Sequence, residues 1–252
     1  MDEKDFLNRI TQSMNESQEQ SLRSLGRPSS CATREQAIKQ VEILEAAHSG
    51  LVQEDIKTMK TTDQILKIKA TVLYILGRMP QGMDYIHLFK ILYFAQQKHL
   101  VTYGMPLMED TFCARKHGPV PTLTYKVLKA SESGQSFDQQ EMQDYLKAVK
   151  VELRDGHQIV LAAQEPDMDE LSKSDVRVID ECIARLRDME PFDLSDLSHD
   201  KAWLKAKRTA DRTGEDAKIP MYDIADAGGA TKEMLGVIRE RQWIKHMLSI
   251  AC

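Results

Sequence analysis

The sequence predicts a mainly α (α+β) fold: a compact helical domain around one central apolar helix, with a small antiparallel β-sheet and an N-terminal helical extension. Three observations predict it. Residues 85–95, YIHLFKILYFA, are apolar almost all round, with Lys90 and His87 nearly alone among greasy neighbours, so other elements must cover this helix. Several further stretches repeat apolar residues at helical spacing. Residues 151–161, VELRDGHQIVL, alternate on either side of an Asp-Gly pair, which is a strong hairpin signal.

Taken in order, residues 11–30 are rich in Gln, Ser, Asn and Glu and poor in large apolar groups, a composition that orders itself only with difficulty. Thr33-Arg34-Glu35-Gln36 reads as a capping box opening a helix whose apolar side carries Ile38, Val41, Ile43, Leu44 and Ala47. A second amphipathic run holds Leu51, Val52, Ile56 and Met59, and a third, residues 62–76, begins the globular domain. The central helix follows. Tyr103-Gly104-Met105-Pro106 stops it near Val101 or Thr102, because glycine accepts positive φ and the residue before a proline leaves the α region. A short strand is expected from Thr111 to Arg115, then a pinched loop His117-Gly118-Pro119-Val120-Pro121, then a helix capped by Thr122. Residues 142–149 are short helix or extended chain, and the Asp-Gly hairpin is expected to join the 111–115 strand in one sheet. Leu171-Ser172-Lys173-Ser174-Asp175 opens another helix, residues 194–212 read as one more anchored by Trp203, and two helices split at Gly228-Gly229 form the tail. The resulting division is an extension over 1–60, a domain over 61–215, and C-terminal helices over 216–252.

Composition excludes several classes. With 252 residues, 42% hydrophobic and 29% charged, the chain is long enough for one substantial core. No apolar window suits a signal peptide or a membrane helix, so a cytoplasmic location is expected. Cys31, Cys113, Cys182 and Cys252 are scattered without a CxxC pair, which argues for incidental or buried thiols. The net charge of −5 is unevenly spread: residues 131–200 hold 18 acidic and 7 basic groups. Such a face repels phosphate backbones and attracts basic protein surfaces.

The pieces FKILYFAQQKHL, YGMPLMEDTF, ARKHGPVP, LSKSDVRVIDECI and DLSDLSHDKAWLKAK, in this order over residues 84–208, resemble the Panacea domain, the SocA-like antitoxin family of bacterial and phage toxin–antitoxin pairs. The resemblance implies an antitoxin that neutralises a cognate protein toxin by direct contact. It implies no catalytic residue. Gly104, Gly118, Pro119, Pro121, His199 and Trp203 then serve as structural motif positions. The first 60 residues are additional to the family pattern, and Ile38, Val41 and Leu44 are read as gripping the toxin by helix-in-groove contact. Arg115, Lys116 and His117 are the second candidate contact, with Glu109, Asp110 or the acidic middle segment as counter-charges.

Other chemistry is poorly supported. His199-Asp200 matches the central pair of an HD-type metal phosphohydrolase, but His117 and Asp211 would have to complete that ligand set and the surrounding helix pattern does not support them, so no metal and no cofactor are expected. No nucleophile-base arrangement is evident, and we expect no enzyme. Residues 223–231, followed by Lys232, Arg239 and Arg241, have helix-turn-helix spacing, which leaves open a DNA-binding regulator of its own operon. A phage-borne inhibitor or proteolytic adaptor acting on a host protein also stays open. Promoter DNA, a protease and a second copy of the chain are the partners that these readings would add.

Overall fold

The computed structural model describes residues 62–251. The extension over 1–60, with Ile38, Val41 and Leu44, lies outside them. Helix α1 (62–77) buries Ile65, Ile68, Val72, Leu73, Ile75 and Leu76. A two-residue strand β1 (Met83–Asp84) leads directly into helix α2 (Tyr85–Tyr103). Asp84 caps that helix through its carboxylate, which accepts the His87 N–H at 2.9 Å. Every residue from Leu88 to Gln96 is buried, Lys90 included, as an all-round apolar helix requires. The helix runs one to two residues past the expected stop. Gly104 ends it in the left-handed conformation, φ 64°, with its N–H on the Leu100 carbonyl.

Strands β2 (Phe112–Arg115) and β3 (Gly118–Pro121) form an antiparallel hairpin in which Arg115 faces Gly118 and Phe112 faces Pro121. The segment expected as a loop is therefore a strand. Two prolines are tolerated because β3 is an edge strand, and an edge strand needs inward N–H donors only at alternate residues. Helix α3 (Thr122–Ser133) follows without the expected Thr122 cap. Its free N–H groups are met instead by the buried Asp110 carboxylate, which accepts from the backbone of Leu123 at 2.9 Å and Thr124 at 3.0 Å.

Helix α4 (Gln140–Ala148) runs into strand β4 (Val149–Arg154), which turns through Asp155 (φ 49°) and Gly156 (φ 81°) into β5 (His157–Ala162). Two consecutive positive φ values are the I′ geometry that the Asp-Gly pair predicts. The hairpin does not join β2. It pairs with β1, giving the order β1-β5-β4, while β2 lies between β3 and the two-residue strand β6 (Ala217–Lys218). A strand has two edges, and both of those on β2 are occupied.

Helix α5 (Lys173–Leu186) opens with the expected capping box, Ser172 and Asp175 exchanging side-chain-to-backbone bonds. The helix expected over 194–212 is two: α6 (Pro191–Leu197) and α7 (Lys201–Thr213). Asp200 breaks the run, extended at ψ 179° and capping α7. Helices α8 (Met221–Ala227) and α9 (Lys232–Ala251) part at the glycine pair as expected. One core gathers α1, α2, α5 and the inner faces of both sheets, with Tyr93, Phe112 and Tyr145 among its largest fully buried side chains. Cys113 and Cys182 are buried free thiols, and burial pushes the Cys182 thiol up to about 11. No described helix is long and apolar enough to cross a membrane.

Candidate partner-binding site

The β2–β3 hairpin tip stands on a scaffold of side chains from three helices. Carbonyls at alternate positions of the hairpin each receive one donor: Arg115 O from Trp203 Nε1 of α7 at 3.0 Å, His117 O from Ser195 Oγ of α6 at 3.1 Å, and Pro119 O from Lys90 Nζ of α2 at 3.2 Å. Side-chain donors thus fasten the hairpin backbone to three helices. Lys116 and His117 project from this rigid corner and are exposed. Arg115 does not. Its guanidinium is bound by Asp216, Nε at 3.0 Å and Nη2 at 2.6 Å, and lies 4.4 Å over the Tyr125 ring. The counter-charges expected from the sequence are occupied elsewhere: Glu109 pairs with Lys245, and Asp110 caps α3.

Beneath the tip, Gly118 adopts φ 105°, and a Cβ there would collide with Ser198 Oγ and Lys90 Nζ. Only glycine satisfies both conditions. Lys90 is 2% exposed, and burial pushes its ammonium down to about 7. Ser198, fully buried, donates to the Ser195 carbonyl at 2.7 Å. The next residue, His199, stacks on Trp203 with centroids 3.8 Å apart and planes at 16°. Burial first, and then the Lys90 charge, hold its imidazolium below the ordinary histidine range.

Asp200 ties the same corner to the core. Its Oδ1 accepts the backbone N–H groups of Ala202 and Trp203, both at 3.0 Å, and its Oδ2 accepts Tyr93 Oη at 2.8 Å and Gln97 Nε2 at 2.9 Å. A carboxylate so engaged is a structural hub, which answers the HD-type reading: the His-Asp pair joins a helix cap to a ring stack. Among the described residues no group of three His, Cys, Asp or Glu side chains could hold a metal ion.

Of the residues singled out in the sequence, Gly118, Pro119, His199 and Trp203 come together in this corner with Lys116 and His117. Pro121 ends β3 and serves as the N-cap position of α3, and Gly104 lies apart, at the end of α2. Sequence reasoning missed Ser195, Ser198 and the exposed apolar pair on α6, Phe192 at 80% and Leu197 at 46% exposure. Spacing carries no sign of Ser195 or Ser198, whereas a phenylalanine just after the helix-opening Pro191 was visible. Of the cations named for the helix-turn-helix reading, Arg239 reaches Tyr222 Oη, and on α7 Lys201 pairs with Asp226, Lys205 with Asp223 and Lys207 with Asp211.

A second concavity, of about 750 Å³, is bounded by Met105, Met108, Met221 and Ile238. At its base Asp175 accepts Lys67 and lies 3.0 Å from His99 Nε2. Burial alone raises the Asp175 carboxyl, yet bonds from His99, Lys67 and Ser172 outweigh it and hold the group well below the usual range.

Residues 88–204 match the model of the family described as antitoxin SocA-like, Panacea domain. The resemblance read from the sequence is thereby shown over this stretch, which contains the whole corner from Lys90 to Trp203. No curated protein and no solved structure matches the chain.

Proposed function

We propose that the chain is the antitoxin of a toxin–antitoxin pair, acting in the cytoplasm and neutralising its cognate protein toxin by direct contact rather than by catalysing a reaction. The observation that carries this reading is the SocA-like antitoxin family match over residues 88–204. The surface geometry supports it. Exposed Phe192 and Leu197 lie on α6, the helix whose Ser195 anchors the hairpin that presents Lys116 and His117. A large exposed aromatic on a rigid support, with exposed Asp193 and Asp196 on the same helix and Lys116 and His117 on the anchored hairpin, offers apolar and charged contacts to a protein partner. Neutralisation requires only enough covered surface to block the toxin's working site, commonly about 1,600 Å² in total.

The extension is assigned a second grip through Ile38, Val41 and Leu44. Co-expression of the toxin with full-length or 61–252 chain in growing cells tests it. Full-length protein restores growth and the truncated protein does not; rescue by the truncated chain would remove the extension from the interface.

A further inference from the structure

The geometry points to a receiving site for one carboxylate side chain of the protein partner, formed by Lys90 and His199 beneath the β2–β3 hairpin. This rests on the reading of the chain as a protein-binding antitoxin, and it names the chemistry that the partner brings.

An ammonium carries three N–H donors, and Lys90 uses one of them, on the Pro119 carbonyl. Among the described residues no carboxylate lies within ion-pair distance of it, although it is 2% exposed. Buried cations are normally paired, because an unpaired one loses its hydration without compensation. The second observation is independent. His199 Nε2 is buried without a hydrogen-bond partner, on a ring fixed by its stack against Trp203. Geometry brings the two together: a Cβ on Gly118 would collide with both Lys90 Nζ and Ser198 Oγ, so the ammonium sits against the residue that precedes His199, and its charge depresses the imidazolium. The Ser198 hydroxyl already donates to the Ser195 carbonyl, so the unmet donors are those of Lys90 and His199.

Lys90 lacks an acceptor with formal negative charge, and the Asp196 carboxylate near the cluster lies 3.9 Å from the other ring nitrogen, His199 Nδ1. The His199 side chain, 26% exposed, links the cluster to the surface, where Lys116 and His117 draw an anion inward. A polyanion is disfavoured by Asp193 and Asp196, both exposed on the adjoining helix α6. A single Asp or Glu carboxylate satisfies both charge conditions, reaching Lys90 by displacing the Pro119 carbonyl or by sharing its donor.

Acetate serves as the probe, with the full chain at pH 6.5 and chloride at equal ionic strength as the control. Acetate raises the unfolding midpoint of the wild type above the chloride value by about 2–4 °C, on the order expected for a ligand well above its dissociation constant and a chain of this size. It also moves the His199 ring-nitrogen resonances. Both effects vanish in Lys90→Met and in His199→Phe, which keeps the stack on Trp203 but removes both nitrogens. Lys90→Met also fails to restore growth of toxin-expressing cells. Equal responses to acetate and chloride, or an acetate response that survives in both variants, overturn the site. An acetate response with neutralisation intact in Lys90→Met gives the site to a free carboxylate and overturns the partner assignment. Either failure leaves the antitoxin reading standing, because that reading is decided by wild-type neutralisation alone.

Discussion

Lys90 is a cation in a place that disfavours cations, and the consequence is measurable. Its folded-state pKa of about 7 lies below the ordinary lysine value of 10.5, so between those values the unfolded chain binds a proton that the folded chain has released. Stability therefore rises with pH across that window, and below about pH 7 the full cost of burying the charge is present. Lys90→Met removes this cost. Thermal or urea unfolding at pH 6 is expected to show the variant more stable by about 1–4 kcal/mol, with a flatter dependence between pH 7 and 10. A destabilised variant would mean that the bond to Pro119 outweighs desolvation. His87, the other polar residue of that helix stretch, is satisfied on both sides, by Asp84 Oδ2 at 2.6 Å and the Met189 carbonyl at 2.9 Å. Its pKa is raised, chiefly by the Asp84 bond, so its contribution is complete below the unfolded value near 6.5 and fades as pH rises through the folded one. The sequence flagged both residues as lone polar groups. The Lys90 partner lies 29 positions away and one His87 partner 102 away, beyond the reach of any local pattern, whereas Asp84 stands three residues before His87.

At the scale of elements, the features that were legible are those with local causes. The all-round apolar helix, the Asp-Gly turn, the Ser172 capping box and the glycine split of the tail each follow from a few adjacent residues. Those that were not legible depend on competition between distant segments. β2 cannot accept the β4–β5 hairpin because β3 and β6 reach it, and β3 looked like a loop because its two prolines hide an edge strand. The cap of α3 is the clearest case, since Asp110 acts from twelve to fourteen residues upstream. Burial raises its carboxyl, and four bonds from Thr111, Leu123 and Thr124 pull it back only in part. Asp110→Ala is expected to lower stability by about 2 kcal/mol in urea unfolding, whereas Thr122→Ala changes it by less than about 0.5 kcal/mol. Equal costs would return the cap to Thr122.

At the scale of the whole molecule, one core supports a rigid corner, and the corner presents a small apolar surface with charges of both signs around it. This arrangement suits recognition, because a preordered contact loses little entropy on binding. The resemblance to the family was readable from five separated pieces of sequence, and the match over residues 88–204 covers most of the 84–208 stretch that they span. The exposed pair Phe192 and Leu197 was not readable, because exposure is a property of the assembled fold. Phe192→Glu is expected to leave the unfolding midpoint within about 2 °C of the wild type, since the side chain is 80% exposed, while weakening toxin binding at least about tenfold. The central claim is that this molecule works by covering another protein. The most direct test is a binding titration of the purified full chain against the proposed cognate toxin, with Phe192→Glu run in parallel. The account predicts a saturable complex that the substitution weakens; a folded antitoxin and an active toxin that do not bind each other would contradict it.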